Sequence, residues 1–168
     1  MAVFPELLPE GERDLAHGKV SLRFIEYVPT EGRSGLAPFY HFRIIVAGAG
    51  EVGHINFRVG DSEHVRLCAG HIGYAVEERF RGHHYALQAC RALAPFVRSI
   101  YREVILTCDP NNHPSIKTIE RLGATFIDEV AIAKHDPGYA GGARRKRRYR
   151  WEPSGPHISE GRVPRVPL

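Results

Sequence analysis

The stretch from Tyr74 to Ala86, Y-A-V-E-E-R-F-R-G-H-H-Y-A, together with Asn112, carries the residue types and spacing that could do chemistry in this chain. The apolar run Ile72 to Val76 gives way to a charged loop holding Arg79, Arg81 and Gly82. An apolar series of period near 3.6 then begins at Ala86. A strand that feeds a loop that opens a helix leaves the first amide N–H groups of that helix unpaired. The helix dipole adds its positive end, so the site is suited to an anion. Gly82 lets a phosphate approach the backbone and Arg81 adds charge, so the predicted ligand group is a pyrophosphate. Asn112 lies in D-P-N-N-H-P-S, where it can cap a helix or reach a ligand.

Other polar residues point elsewhere. His83 and His84 are adjacent, so their side chains diverge, and with no third ligand in sight the reading is no metal. Cys68, Cys90 and Cys108 are odd in number and lack C-x-x-C spacing, which argues against a disulfide framework or a zinc site and for reduced packing thiols.

The elements that must position these groups follow from pattern. Strands are expected at Val20 to Val28, Phe39 to Ala47 and Glu51 to Val59, with a tight turn at Ala47 to Gly50. Asp61 to Ala69 reads as a wide turn. Then come a strand His71 to Val76, a helix from Tyr85 to Ile100 bent by Pro95, and a strand Val104 to Cys108. A second helix has Pro114 in its first turn and closes at Gly123, and two strands follow at Thr125 to Ala131 and Lys146 to Trp151. Residues 1–18 read as an irregular lead-in, 19–152 as one domain and 153–168 as a proline-rich tail. The order predicts an α/β fold, a mixed sheet with a parallel pair in its middle. Ligands then bind beyond the carboxyl ends of that pair, where both polar loops fall.

Composition narrows the class. With 168 residues, 43% hydrophobic and 25% charged, the chain fits one globular domain with a real core. No apolar run approaches a membrane span, and Met1 to Lys19 is too acidic and proline-broken for a signal peptide, so the expected location is cytoplasmic. Removing the six basic residues between 144 and 150 takes the net charge from +4 to −2. The basicity is therefore local, read either as charges on a solvated edge strand or as a patch for an acidic or RNA-bearing partner; nucleic acid is not the expected partner. In that strand Tyr149 and Trp151 share the inward face.

At this point the residues resemble a family. V-E-E-R-F-R-G-H-H-Y-A is similar to the acyl-CoA-binding motif of GNAT (GCN5-related) N-acetyltransferases, an Arg or Gln, two residues, Gly, one residue, then Gly or Ala. N-H-P-S-I-K-T-I-E-R-L-G is similar to their second motif, and the likeness covers Val20 to Trp151. The G-H-I-G-Y strand at Gly70 to Tyr74 resembles the branch of ribosomal-protein N-terminal acetyltransferases and other predicted acetyltransferases.

The resemblance implies a mostly antiparallel GNAT-like sheet with a splayed parallel pair and flanking helices. It implies acetyl-CoA (coenzyme A) as co-substrate, no metal, and direct attack of a primary amine on the thioester. The backbone of Ala75 and Val76 would pair with pantetheine, the N–H groups of Arg81, Gly82, His83, His84, Tyr85 and Ala86 would hold the pyrophosphate, Asn112 would bind pantetheine, and Ser115 would line the thiol. His71 sits where relatives often carry a glutamate facing the acceptor. It either takes the amine's proton or hydrogen-bonds to its strand neighbours.

Three positions depart from the family. His84 replaces Gly or Ala, a side chain that a helical φ would tolerate. Ile119 replaces a tyrosine that protonates the leaving thiolate in many relatives. Only Pro29 to Pro38 joins the first two strands, which leaves the acceptor site for a small-molecule or peptide amine open, or completed by a second subunit in a homodimer. A non-catalytic acyl-CoA-binding module is the rival reading.

Overall fold

Alternation along Phe39–Val46 sets the core: Tyr40, Phe42, Ile44 and Val46 are buried while their neighbours are half-exposed, the period-two signature of a strand with one face covered. The computed structural model describes residues 15–30 and 36–153. Most of the expected lead-in, the middle of the Pro29 to Pro38 connection and nearly all of the proline-rich tail lie outside the described residues.

The first sheet runs β1 (Ala16–His17), β2 (Val20–Val28), β3 (Phe39–Val46), β4 (Gly50–Arg58) and β5 (Ile72–Val76), neighbours in that order. The short β1, inside the stretch expected to be irregular, pairs with β2. Helix α1 (Tyr85–Ile100) lies against this sheet and runs unbroken through Pro95. Its Phe96 meets the rings of Tyr40, Phe57 and Phe42 at 4.9, 5.5 and 6.1 Å, forming the aromatic centre of the core.

The second sheet has the order β6 (Val104–Cys108), β8 (Arg145–Trp151), β7 (Thr125–Ala131), with α2 (His113–Arg121) after β6 and the short α3 (Pro137–Ala140) before β8. The last strand is therefore central, which corrects the solvated-edge expectation. Tyr149 and Trp151 do face the core. Four of the six basic side chains meet carboxylates: Arg148 makes a bidentate pair with Asp128 at 2.7 Å, and Arg145, Lys146 and Arg150 pair with Glu129, Asp109 and Glu103, while Arg147 lies over the Phe126 ring and Arg144 over that of Tyr139. Much of the strand's positive charge is therefore paired locally.

Every ladder among the described residues is antiparallel, and none joins β5 to β6. The two half-sheets meet at one point. The His71 N–H donates to the Ile105 carbonyl at 2.8 Å, and the Ile105 N–H donates to His71 Nδ1 at 3.0 Å. Just upstream, the expected wide turn is a π-helical turn, Val65–Ala69, ended by Gly70 at φ +67. A side chain at Gly70 would meet the Ile105 carbonyl at 3.0 Å, so only glycine lets β5 start this close to β6. Beyond the joint the strands part.

Candidate active site

Two backbone bonds fix which way β5 faces. The Arg58 N–H donates to the His71 carbonyl and the Glu77 N–H to the Val52 carbonyl. With the register Gly53↔Val76 to Phe57↔Ile72, His71, Gly73, Ala75 and Glu77 spend their backbone groups on β4. Tyr74 and Val76 turn theirs to the open side, where β6 has parted. The expected pairing of a ligand with Ala75 is therefore corrected: the free edge belongs to Tyr74 and Val76. The Val76 carbonyl takes a bond from Arg81 Nε at 3.0 Å, leaving the Val76 N–H and both Tyr74 groups.

A run of free amides follows. The Arg81 N–H is used by Glu78 in a 3-10 turn, and the first bond of α1 is from the Gln88 N–H to the His84 carbonyl. Between them no N–H from Gly82 to Leu87 finds an acceptor among the described residues. Arg81 thus contributes a side chain rather than an amide, and Leu87 joins Gly82, His83, His84, Tyr85 and Ala86. Gly82 has φ +88 and open space where a Cβ would stand. His84 is at φ +61, ψ +26, the left-handed region, where a right-handed helical φ had been expected, and it is the only described non-glycine residue with positive φ. A β-carbon in this region is strained, and glycine would relieve it. Arg121 NH1 lies 3.0 Å from the His84 ring, which ties the end of α2 to the start of α1.

Where β5 and β6 part there is a cleft of about 390 Å³, lined by Arg58, Tyr74, Thr107, Asn112, Ser115 and Lys146 among others. Asn112 caps α2, its Oδ1 accepting from the Ser115 N–H at 3.2 Å, while its amide nitrogen has no partner among the described residues. Both roles open to it are compatible. Ser115 Oγ lies 2.8 Å from the Tyr74 hydroxyl. Burial raises the Tyr74 pKa far above the ordinary tyrosine value, so that hydroxyl keeps its proton. Ile119 points into the core and is 1% exposed. Tyr74, absent from the expected site, brings a hydroxyl to the cleft from another element, and its place within the apolar run Ile72 to Val76 was the only signal.

His71 is placed differently from the expected base. Its ring is completely buried, Nδ1 accepting from Ile105 and Nε2 donating to the Gly60 carbonyl at 2.9 Å. Burial pushes its pKa down to about 4. A ring with both nitrogens engaged and no exposed face is a joint between half-sheets and cannot collect an amine's proton.

The three cysteines are free and buried. Burial pushes the Cys68 thiol up to about 11 and that of Cys90 up to about 12, so both are neutral. Cys68 lies beside His64 and Asp136, a grouping the sequence did not reveal. Asp136 accepts from the Gly138 N–H at 2.7 Å and from His64 at 2.8 Å, and Cys68 also bonds to it, so hydrogen bonding accounts for the cluster.

The comparisons fit this geometry. The family model described as an acetyltransferase (GNAT) domain matches residues 12–125. Among solved structures, the chain is similar to a ribosomal L7/L12 alpha-N-protein acetyltransferase in complex with coenzyme A, at 19% identity and TM-score 0.52, with 67% of this chain and 60% of that one covered. A ribosomal-protein-S5-alanine acetyltransferase from Vibrio fischeri matches at 15% identity and TM-score 0.53, covering 68% and 62%. An acetyltransferase of the GNAT family from Bacillus anthracis matches at 19% identity and TM-score 0.56, covering 80% and 95%. The chain thus spans about three fifths of the length of the two ribosomal-protein enzymes. No curated protein matches its sequence. The strand–loop–helix socket, the parted strands and the matching family model lead to one statement: this chain belongs to the GNAT acetyltransferase family.

Proposed function

We propose that this protein is an N-acetyltransferase that takes acetyl-CoA as donor and transfers the acyl group to a primary amine by direct attack. The observation that carries the reading is the run of unpaired amides from Gly82 to Leu87 beside the unpaired strand edge of Tyr74 and Val76. A pyrophosphate would lie on the first, and pantetheine would join the second as an added strand, with the free amide of Asn112 donating to it. The Val76 N–H would polarise the thioester carbonyl. The amine, having lost its proton to solvent, would form the N–C bond. As the C–S bond breaks, Ser115 backed by Tyr74 would give a proton to the departing thiolate, and the proton shed by the newly acylated nitrogen would return through solvent to restore the couple. Likeness to ribosomal-protein acetyltransferases supports a peptide or protein amine as acceptor, and the dependence on acetyl-CoA supports a cytoplasmic location. No helix among the described residues is long and apolar enough to cross a membrane.

The test is calorimetric titration of coenzyme A into the protein and its Gly82→Val variant, with thiol release followed over an amine panel. Valine at φ +88 is strained and would put a branched side chain into the open space of the socket. Affinity should fall at least tenfold, about 1.4 kcal/mol. Unchanged binding overturns the socket. Binding without thiol release for any amine leaves the acyl-CoA-binding module as the function.

A further inference from the structure

Arg58 has no anionic partner among the described residues. It stands at the end of β4 in the cleft between the half-sheets, and its NH1 makes only two long bonds, 3.3 and 3.4 Å, to the carbonyls of Ala69 and Gly70. Among the described residues no carboxylate pairs with it. The neighbouring Cys68 thiol is neutral at ordinary pH, its pKa pushed up to about 11. Burial lowers the pKa of Arg58 itself. The other arginines drawn inward behave otherwise: Arg148 is held bidentate by Asp128. A guanidinium offers five N–H donors in a planar fork that matches a carboxylate, and a half-buried fork left mostly empty is costly.

The fork is also aimed. A methyl group added at Gly73 would sit 3.1 and 3.2 Å from its two terminal nitrogens and 3.6 Å from Cζ, so the guanidinium turns its NH1–NH2 edge toward Gly73, next in the strand to Tyr74, while Nε and NH2 have no hydrogen-bond partner among the described residues. Glycine is the one residue that leaves this space open. The other cation of the cleft, Lys146, is already paired with Asp109 at 2.8 Å. Arg58 is thus a cleft cation without a carboxylate among the described residues, and it shares that cleft with the Tyr74–Ser115 couple at which the thiol would depart.

We propose that Arg58 is the specificity residue of the acceptor site and that it binds a carboxylate carried by the amine acceptor close to the reacting nitrogen. The inference rests on the acetyltransferase reading above. Such a carboxylate has two sources, the α-carboxylate of a free amino acid or an acidic side chain near the start of a peptide. In either case the bidentate contact orients the amine toward the thioester.

The experiment follows thiol release from acetyl-CoA with matched acceptors: glycine against glycinamide, and the peptide amide Gly-Asp against Gly-Asn. The carboxylate member of one pair should be preferred at least tenfold in kcat/KM, and which pair shows the preference identifies the source. In Arg58→Gln the preference should collapse to within threefold through loss on the carboxylate member alone, with the KM for acetyl-CoA unchanged. Arg58→Lys keeps the charge but not the fork and should fall between. Equal use of acid and amide by the wild type, or an unaltered ratio in Arg58→Gln, overturns the proposal. If none of these amines is acetylated, the CoA-bound protein is titrated with N-acetylglycine and N-acetylglycinamide, and equal affinity, or no binding of either, overturns it. Failure to bind coenzyme A at all sinks the acetyltransferase reading instead, whereas coenzyme A binding with indifferent acceptors sinks only the role of Arg58.

Discussion

The Tyr74 hydroxyl on β5 lies 2.8 Å from the Ser115 hydroxyl on α2, so two elements far apart in sequence meet where the strands part. Tyr74 is held protonated by burial, and Ser115 is half-buried on the wall of the cleft.

If this couple serves the leaving thiolate, Tyr74→Phe should lower kcat tenfold or more while the KM for acetyl-CoA stays within about threefold, since a lost proton donor costs rate rather than binding. Ser115→Ala should do the same, and the double variant should be no worse than the more damaging single one, because the two act as a unit. Additive losses in steady-state kinetics would separate them. Retention of full kcat in Tyr74→Phe would remove it from the mechanism.

His84 predicts a stability gain. A β-carbon in the left-handed region costs roughly 1–2 kcal/mol, and the Arg121 contact returns part of it, so His84→Gly should stabilise the fold by about 1 kcal/mol. For a chain of this size that is a rise of about 2–4 °C in Tm, readable by calorimetry. A fall in Tm would mean that the Arg121 bond outweighs the backbone strain.

His71 predicts a pH dependence of stability. Its folded pKa of about 4 lies below the ordinary value of 6.5, so the unfolded chain binds the extra proton between those limits. The stability that neutral His71 supplies is complete above about pH 6.5 and is lost as pH falls toward 4. By the size of the shift the loss is on the order of 3 kcal/mol. Urea denaturation at pH 7.5 and 4.5 should show this slope in the wild type and a shallower one in His71→Gln, which should also be less stable at pH 7.5. An equal slope in both proteins would contradict the buried, neutral ring.

Much of this protein was legible in its sequence because it is local. The socket is a strand, a glycine loop and a helix start within a dozen or so consecutive residues, and its amides are free because no helix can pair its own first turn. The strands β2 to β4 and helices α1 and α2 likewise follow from period and capping residues close along the chain. The phase of β5 was not local. Whether Ala75 or Tyr74 shows its backbone to the cleft depends on the register with β4, and a shift of one residue exchanges the two faces. The position of β8 between β6 and β7 hid the partners of its arginines, since Asp128 lies 20 residues from Arg148 in sequence. His71 has the composition of a base, but the approach of Ile105, 34 residues on, made it a buried joint. In sequence Arg58 reads as an ordinary surface arginine, and only the parting of the strands beside it left its guanidinium half-buried, its edge turned to Gly73 and without a carboxylate among the described residues. The sequence by itself determined the groups that act through their own backbone. Tertiary structure decided the side chains whose chemistry depends on burial and on distant partners, because desolvation and charge pairing are set by what else occupies the same space.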